Sequence, residues 1–185
     1  MKQSNTRKNK ETEDECFGTL RDLLKDDNFF NDRSLIKEKL SNDELFSALF
    51  DKDDQISTNA CIELHSRPCQ DVFDKAKKLC SSKIPEQKVA GIDVLAQLGQ
   101  WERPYYDETI KLLLEMLHKE TDPGVLSALG YAFSHNYCEE SVPLFYGLKN
   151  HPSSAVREGV VAALTYNSNA EAIAVLIELT SDEDL

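Results

Sequence analysis

Seven glycines and six prolines in 185 residues supply little of the turn chemistry that an all-β fold needs, and the leucine, alanine, lysine and glutamate between them favour helix. No apolar run approaches the eighteen or so residues that a membrane span requires, and no apolar signal segment follows a basic start. The chain is therefore expected to be neither integral to a membrane nor secreted by an ordinary signal. Cysteines number five, Cys16, Cys61, Cys69, Cys80 and Cys138, with no Cys-x-x-Cys pair among them. An odd, unpaired set fits free thiols in a reducing, cytoplasmic setting. Cys61 and Cys80 fall on apolar helical stripes and read as small core residues.

Positive charge is also scarce. Lysine and arginine total 21 against 33 acidic residues, a net charge of -12 with a pI near 4.8. Such a surface repels phosphate backbones and anionic lipid, so nucleic acid and membrane are excluded as partners unless a strong basic patch exists. The short mixed run KQSNTRKNK is the nearest approach to one. A protein partner with a basic surface is the expectation that this charge supports.

Catalytic motifs are missing as well. There is no Gly-rich phosphate loop, no Gly-x-Ser-x-Gly elbow and no Cys/His pair in a recognisable catalytic setting. His65 and Cys69 stand four apart, but Pro68 breaks any shared helical face, and His118 and His151 belong to the opposite edge of the fold expected below. Zinc needs three or four converging ligands, so neither a metal nor another cofactor is expected. Acidic pairs such as Glu139 and Glu140 read as solvated faces.

What is present is helical periodicity. Residues 1–14 carry no large apolar residue after Met1 and are expected to form a flexible tail. Phe17, Leu20 and Leu24 then recur at helical spacing in a segment ending at KDDN, and a short helix over 34–40 is expected next. Ser41 and Glu44, three apart before Leu45, predict a capping box. These elements make 15–50 an N-terminal helical cap. From residue 51 the pattern repeats. VLSALGYAFSHN (125–136) lies over VREGVVAALTYN (156–167), matching Val125 with Val156, Leu129 with Val160, Ala132 with Ala163 and Phe133 with Leu164. SVPLFYGLKN (141–150) lies over AIAVLIELTS (172–181) in the same register. Each unit is thus two helices. VAGIDVLAQLG (89–99) with TIKLLLEMLHK (109–119) supplies one more copy, and STNACIEL (57–64) with DVFDKAKKLC (71–80) a weaker first one. Thr121 and Asp122 predict a cap before Pro123, Ser153 or Ser154 the same one unit later, and Pro143 falls harmlessly in a first turn. Asn136 and Asn167 occupy equivalent helix ends, where a left-handed closing residue is expected.

AVREGVVAAL (155–164) and SVPLFYGLKN (141–150) together resemble HEAT repeats, in particular the short bacterial HEAT-like or phycobilisome-lyase-like type. The first matches that family's V-R-x-x-A-x-x-A-L helix, with Arg157 at the arginine position, and the second its A-V-P-x-L-x-x-L helix. Leu126 replaces the arginine one unit earlier, and Val160 or Leu129 stands where alanine is usual. The resemblance implies an all-α fold: a right-handed α-α superhelix, or HEAT-like solenoid, of about four two-helix repeats over 51–185 behind an N-terminal helical region. First helices would form its convex layer and second helices its concave layer, each unit packing only on its neighbours. It also implies a non-catalytic protein-binding module, and small acidic members resemble immunity proteins that neutralise toxins. Other members of the type imply a bilin-lyase-like enzyme or chaperone that handles tetrapyrrole, or a HEAT-like DNA glycosylase, which the acidic balance disfavours. No His-Glu dipeptide occurs, as the iron-binding hydroxylases of the repeat class would need.

The candidate site is QWERPYYDE (100–108), an enlarged turn between two helices that carries the one tryptophan. In a two-helix stack the turns within units line one edge. Trp101, Arg103, Tyr105 and Tyr106 should thus join His65 and Arg67 on one side and His135, Tyr137 and Tyr166 on the other in a single ridge. Aromatics and arginine dominate interface energetics, so this ridge is the expected binding surface. The competing reading is that the aromatics seal helix ends. The closing stretch SDEDL falls where a further unit would begin, so a truncated solenoid is expected, open at Val160, Leu164, Ile173 and Leu176 and able to self-associate through that end.

Overall fold

A computed structural model describes residues 20–25 and 39–184. The expected tail over 1–14 lies outside the described residues, as do most of the expected helices before residue 40; residues 20–25 are helical. The described residues contain helix and turn and no strand, so the fold class is all-α. The chain divides into two compact units, Met1–Leu64 and His65–Leu185.

In the first unit, α1 (Asn42–Ala48) begins with the capping box that Ser41 and Glu44 predict. The Glu44 amide donates to the Ser41 hydroxyl at 3.3 Å, and the Ser41 amide donates to the Glu44 carboxylate at 2.7 Å. Two of the helix's orphan donors are satisfied in this way. In α2 (Asp54–His65), Ile56, Ala60 and Leu64 recur every fourth residue and are fully buried. Asn59 sits among them because its side chain has a task there: it donates to the Leu24 carbonyl at 2.6 Å. Arg21 pairs with Asp51 at 2.7 Å and Lys25 with Asp53 at the surface.

The second unit runs through α3 (Gln70–Cys80), α4 (Pro85–Ala96), α5 (Tyr106–Leu117), α6 (Pro123–His135), a 3-10 turn (Glu139–Ser141) leading into α7 (Val142–Leu148), α8 (Ser154–Leu164) and α9 (Ala170–Leu179). Three helix pairs follow α3 among the described residues, α4 with α5, α6 with α7 and α8 with α9. Their first helices lie side by side, α4 on α6 and α6 on α8. This is the repeat architecture of a HEAT-like fold. All eight residues matched across units, from Val125 with Val156 to Phe133 with Leu164, are buried. Phe133 meets Phe145 of α7 edge to face, with ring centres 5.6 Å apart.

α6 and α8 approach until their backbones touch. A Cβ on Gly130 would lie 2.3 Å from the Gly159 carbonyl oxygen and 2.5 Å from its Cα. No side chain fits at Gly130, and that is why glycine is found inside this helix despite its entropic cost. At the other side of the first and third pairs a charge clamp recurs. Lys88, fourth residue of α4, reaches Glu120, three residues beyond α5, at 2.5 Å. Arg157, fourth residue of α8, reaches Asp182, three residues beyond α9, at 2.5 and 2.9 Å, and Asp184 at 3.1 Å. The pair between them has Leu126 and His151 at these positions and lacks the clamp.

Several expectations need correction. Asp122 does cap α6, accepting from the Val125 amide at 3.1 Å. Ser153 occupies the corresponding position before α8 but makes no side-chain cap; its amide instead donates to His151 Nδ1 at 3.1 Å. Asn136 is not left-handed: it closes α6 at φ -130° and ψ 73°. Asn167 has no positive φ either, since Gln100 and Arg103 are the non-glycine residues that do among the described ones. Both asparagines are placed by what their buried amides bind. At the chain's final pair, Val160 and Leu164 are fully covered because α8 packs among α6, α7 and α9. Ile173 is about half exposed, Leu176 half-buried, and Ile177, which the repeat pattern did not single out, is the most open. Cys80 is buried as expected, whereas Cys61 is only partly so.

Candidate functional site: the edge formed by the repeat turns

The enlarged turn after α4 is held in a shape that its sequence does not adopt readily. Gly99 has φ 80°, Gln100 φ 49° and Arg103 φ 40°. Gly99 is required there, since a Cβ would meet Pro104 Cδ at 2.7 Å as well as the unfavourable backbone angle. For Gln100 and Arg103 the left-handed conformation costs on the order of 1 kcal/mol each, so other contacts must hold it. The Gly99 amide donates to the His65 carbonyl at 2.9 Å, and the Glu102 amide to the Gly99 carbonyl at 3.0 Å. Arg103 Nε donates to the Gln100 carbonyl at 2.8 Å, closing the turn on itself.

Arg103 also reaches the next turn. Its Nη1 donates to Asn136 Oδ1 at 2.6 Å and to the His135 carbonyl. The other end of the Asn136 amide donates to the Ala96 carbonyl at 2.6 Å and the Ala132 carbonyl at 2.9 Å. One buried asparagine thus ties the end of α4, the end of α6 and the enlarged turn together. Tyr106 adds a parallel tie, its hydroxyl donating to the Tyr137 carbonyl at 2.7 Å. Burial pushes the Tyr106 phenol above its ordinary pKa. Burial, and then the Arg103 charge, push the His135 imidazole below its ordinary value. Cys138 donates its thiol to the Glu140 carboxylate at 3.0 Å, and burial together with that carboxylate pushes the thiol above its ordinary pKa.

The residues expected to form the ridge separate into two groups. Arg103, Tyr105 and Tyr106 are structural: the first and third span neighbouring turns, and Tyr105 stacks on Phe73 with ring centres 4.6 Å apart. Trp101, Tyr137 and Tyr166 protrude, with Trp101 96% and Tyr166 78% exposed. His135 is exposed beside Arg103. His65 and Arg67 do not protrude; both are buried, and His65 Nε2 donates to the Asp93 carbonyl at 2.9 Å.

The ties divide the edge. The junction between the enlarged turn and the α6 end is closed, while the junctions flanking it are open. One groove lies beside Trp101, between His65, Ser66 and Pro68 and residues 99–102. The other, lined by Tyr137, Glu139, Tyr146, Asn167, Asn169 and Glu171 among others, lies between the α6–α7 turn and the start of α9. Repeat alignment pointed to neither Asn136 as a tie nor this second groove. It matched Asn136 with Asn167 on position, but no sequence signal distinguishes a buried amide bridge from a helix-closing residue.

No family model matches the chain, and no curated protein matches it in sequence. Among solved structures, that of YibA from Escherichia coli is similar, with a TM-score of 0.52 over 85% of this chain and 70% of that one. The two share a HEAT-like repeat fold. Identity is 18%, which carries the fold and nothing finer. Among the described residues no helix is long and apolar enough to cross a membrane, and no cluster of three histidine, cysteine or acidic side chains could hold a metal ion.

Proposed function

We propose that the chain is a non-catalytic, cytoplasmic protein-binding module whose edge of repeat turns docks a partner with a basic surface. The observation that carries this reading is the exposure of Trp101 at the tip of a turn that is pinned by Arg103 and Asn136. A fully exposed tryptophan has no role in sealing the helix end beneath it, which leaves the anchor reading of this residue the stronger of the two. Prior fixation of the turn lowers the ordering cost of binding. Tyr137 and Tyr166 extend the same edge with amphipathic rings suited to an interface.

A net charge of -12 supports attraction to a basic protein and repulsion of phosphate backbones. Within this class the finer reading is an immunity protein that neutralises a basic toxin encoded beside it. The test is co-expression with that neighbouring gene product. The wild-type chain should restore growth and Trp101→Ala should not; failure of the wild-type chain to protect would discard the immunity reading.

A further inference from the structure

The turn between α3 and α4 departs from the acidic character of the chain. Over residues 70–84, Lys75, Lys77, Lys78 and Lys83 stand against Asp71 and Asp74, whereas the whole chain carries a net charge of -12. Lys75 pairs with Asp71 at 2.6 Å. Lys77, Lys78 and Lys83 are exposed, and among the described residues none of the three has an acidic partner within ion-pair distance. By contrast Lys88, Lys149 and Arg157 are paired, with Glu120, Glu178 and Asp182. Lys77 and Lys78 lie in the last turn of α3, where cations complement the helix dipole. That accounts for two of the three lysines and leaves Lys83 without a local role.

Next to Lys83 stands Ile84, at the capping position just before α4. The corresponding positions before α6 and α8 hold Asp122 and Ser153. A polar side chain is preferred there because it can accept from an amide that the helix leaves unpaired, and isoleucine is among the poorest choices. Ile84 makes no such cap, and burial does not compensate, since it is 50% exposed. The turn is held without its side chain: the Ile84 amide donates to the Ser82 hydroxyl at 3.1 Å, and that hydroxyl donates to Gln87 Oε1 at 2.6 Å. An apolar residue that neither caps nor packs fully, set beside unpaired cations on a fixed turn, breaks a local rule without a gain to the fold. Such departures concentrate at functional positions.

We propose that the α3–α4 turn is a second interaction surface that takes an acidic peptide segment of a protein, its carboxylates meeting Lys77, Lys78 and Lys83 and an apolar side chain between them covering Ile84. Charge complementarity selects an anion, and Ile84 selects among anions. A nucleic acid backbone offers no aliphatic group to Ile84, and both it and an anionic bilayer extend beyond the patch to meet the acidic surface around it. A short peptide supplies carboxylates and an apolar side chain within the span of the turn. The 12 residues of α4 separate Ile84 from the enlarged turn that carries Trp101, a length of about 18 Å. The surface is therefore distinct from the docking edge and does not depend on it.

The test uses the full chain and the capped peptide EELEE, titrated while backbone amide resonances are followed. Saturable shifts centred on residues 77–88 are expected, and they should weaken as salt rises because exposed charges are screened. The peptide QQLQQ should bind about tenfold more weakly and EEAEE about threefold. Lys78→Gln with Lys83→Gln should lose the response. Lys52→Gln with Lys111→Gln, which removes the same charge elsewhere, should keep it, and so should Trp101→Ala. Ile84→Ser should lose the preference for EELEE over EEAEE while unfolding at the wild-type urea midpoint or above it. Dispersed wild-type-like spectra in every variant separate lost binding from lost folding. A lower midpoint in Ile84→Ser would make the isoleucine a packing residue and overturn the proposal. Equal binding of QQLQQ, shifts scattered over the surface, or an unchanged response in the Lys78 and Lys83 variant would overturn it too. Shifts of the same resonances by phosphatidylserine vesicles or duplex DNA, with none from EELEE, would replace the acidic peptide by that ligand.

Discussion

Arg103 Nη1 lies 2.6 Å from Asn136 Oδ1, joining the enlarged turn after α4 to the end of α6. The same asparagine donates from its nitrogen to the carbonyls of Ala96 and Ala132. One buried amide thus joins the end of α4, the end of α6 and the turn that carries Trp101, beside the Tyr106–Tyr137 tie.

Replacing Asn136 by alanine removes three side-chain hydrogen bonds and takes the donor from the Ala96 carbonyl, while the Ala132 carbonyl keeps the backbone amide of residue 136. The expected loss is about 2–3 kcal/mol, from the desolvation cost of orphaned polar groups. Urea denaturation should show the midpoint falling with an unchanged slope. Asn136→Asp should be destabilising too, because a carboxylate accepts from Arg103 but cannot donate to Ala96. A change smaller than about 0.5 kcal/mol, the range of ordinary surface substitutions, would contradict this role.

The Gly130–Gly159 contact gives a second prediction. Gly130→Ala improves intrinsic helix propensity by about 1 kcal/mol, yet its methyl would enter the Gly159 backbone. Overpacking of this kind costs about 1–3 kcal/mol, and more where the obstacle is backbone. Thermal unfolding should therefore show a lower Tm for Gly130→Ala and no such drop for Gly147→Ala, where a Cβ meets nothing within 4 Å.

Asp182 gives a pH dependence. Arg157 beside it holds its carboxyl below the usual range, with the Asp184 amide assisting. A carboxylate whose pKa is lower in the folded state stabilises the fold above its unfolded value, near 4. That contribution is lost as pH falls through the depressed native value. The difference in stability between wild type and Asp182→Asn, followed by urea denaturation at a series of pH values, should be largest at neutral pH and shrink below pH ~4. A difference that stays constant with pH would show that the pair is not coupled to folding.

The periodic parts of the fold were legible in the sequence, and the reason is physical. Stacked helix pairs force apolar residues to recur in register, so matching Val125 to Val156 and Leu129 to Val160 located buried positions directly. The capping box at Ser41 and the Asp122 cap were equally readable because capping depends on neighbours in sequence. Asn136, Val160 and Leu164 were misassigned for the opposite reason: what they meet lies on other helices. Likewise Lys88–Glu120 and Arg157–Asp182 occupy corresponding positions, but lysine and arginine, or glutamate and aspartate, do not read as one feature until the helices define the register. At the candidate site, residue type picked out Trp101, Tyr137 and Tyr166, which protrude. It did not separate them from Arg103 and Tyr106, which hold that edge in place.

The decisive experiment is calorimetric titration of the purified partner against wild type, Trp101→Ala and an Ile177→Ala control on α9. Trp101 is almost wholly exposed, so its removal should leave the unfolding midpoint unchanged. Its loss should weaken partner binding by about 2 kcal/mol, a hot-spot effect of roughly thirtyfold in Kd, while Ile177→Ala binds as wild type. Unchanged affinity in Trp101→Ala, or a loss confined to Ile177→Ala, would contradict docking through the edge of repeat turns.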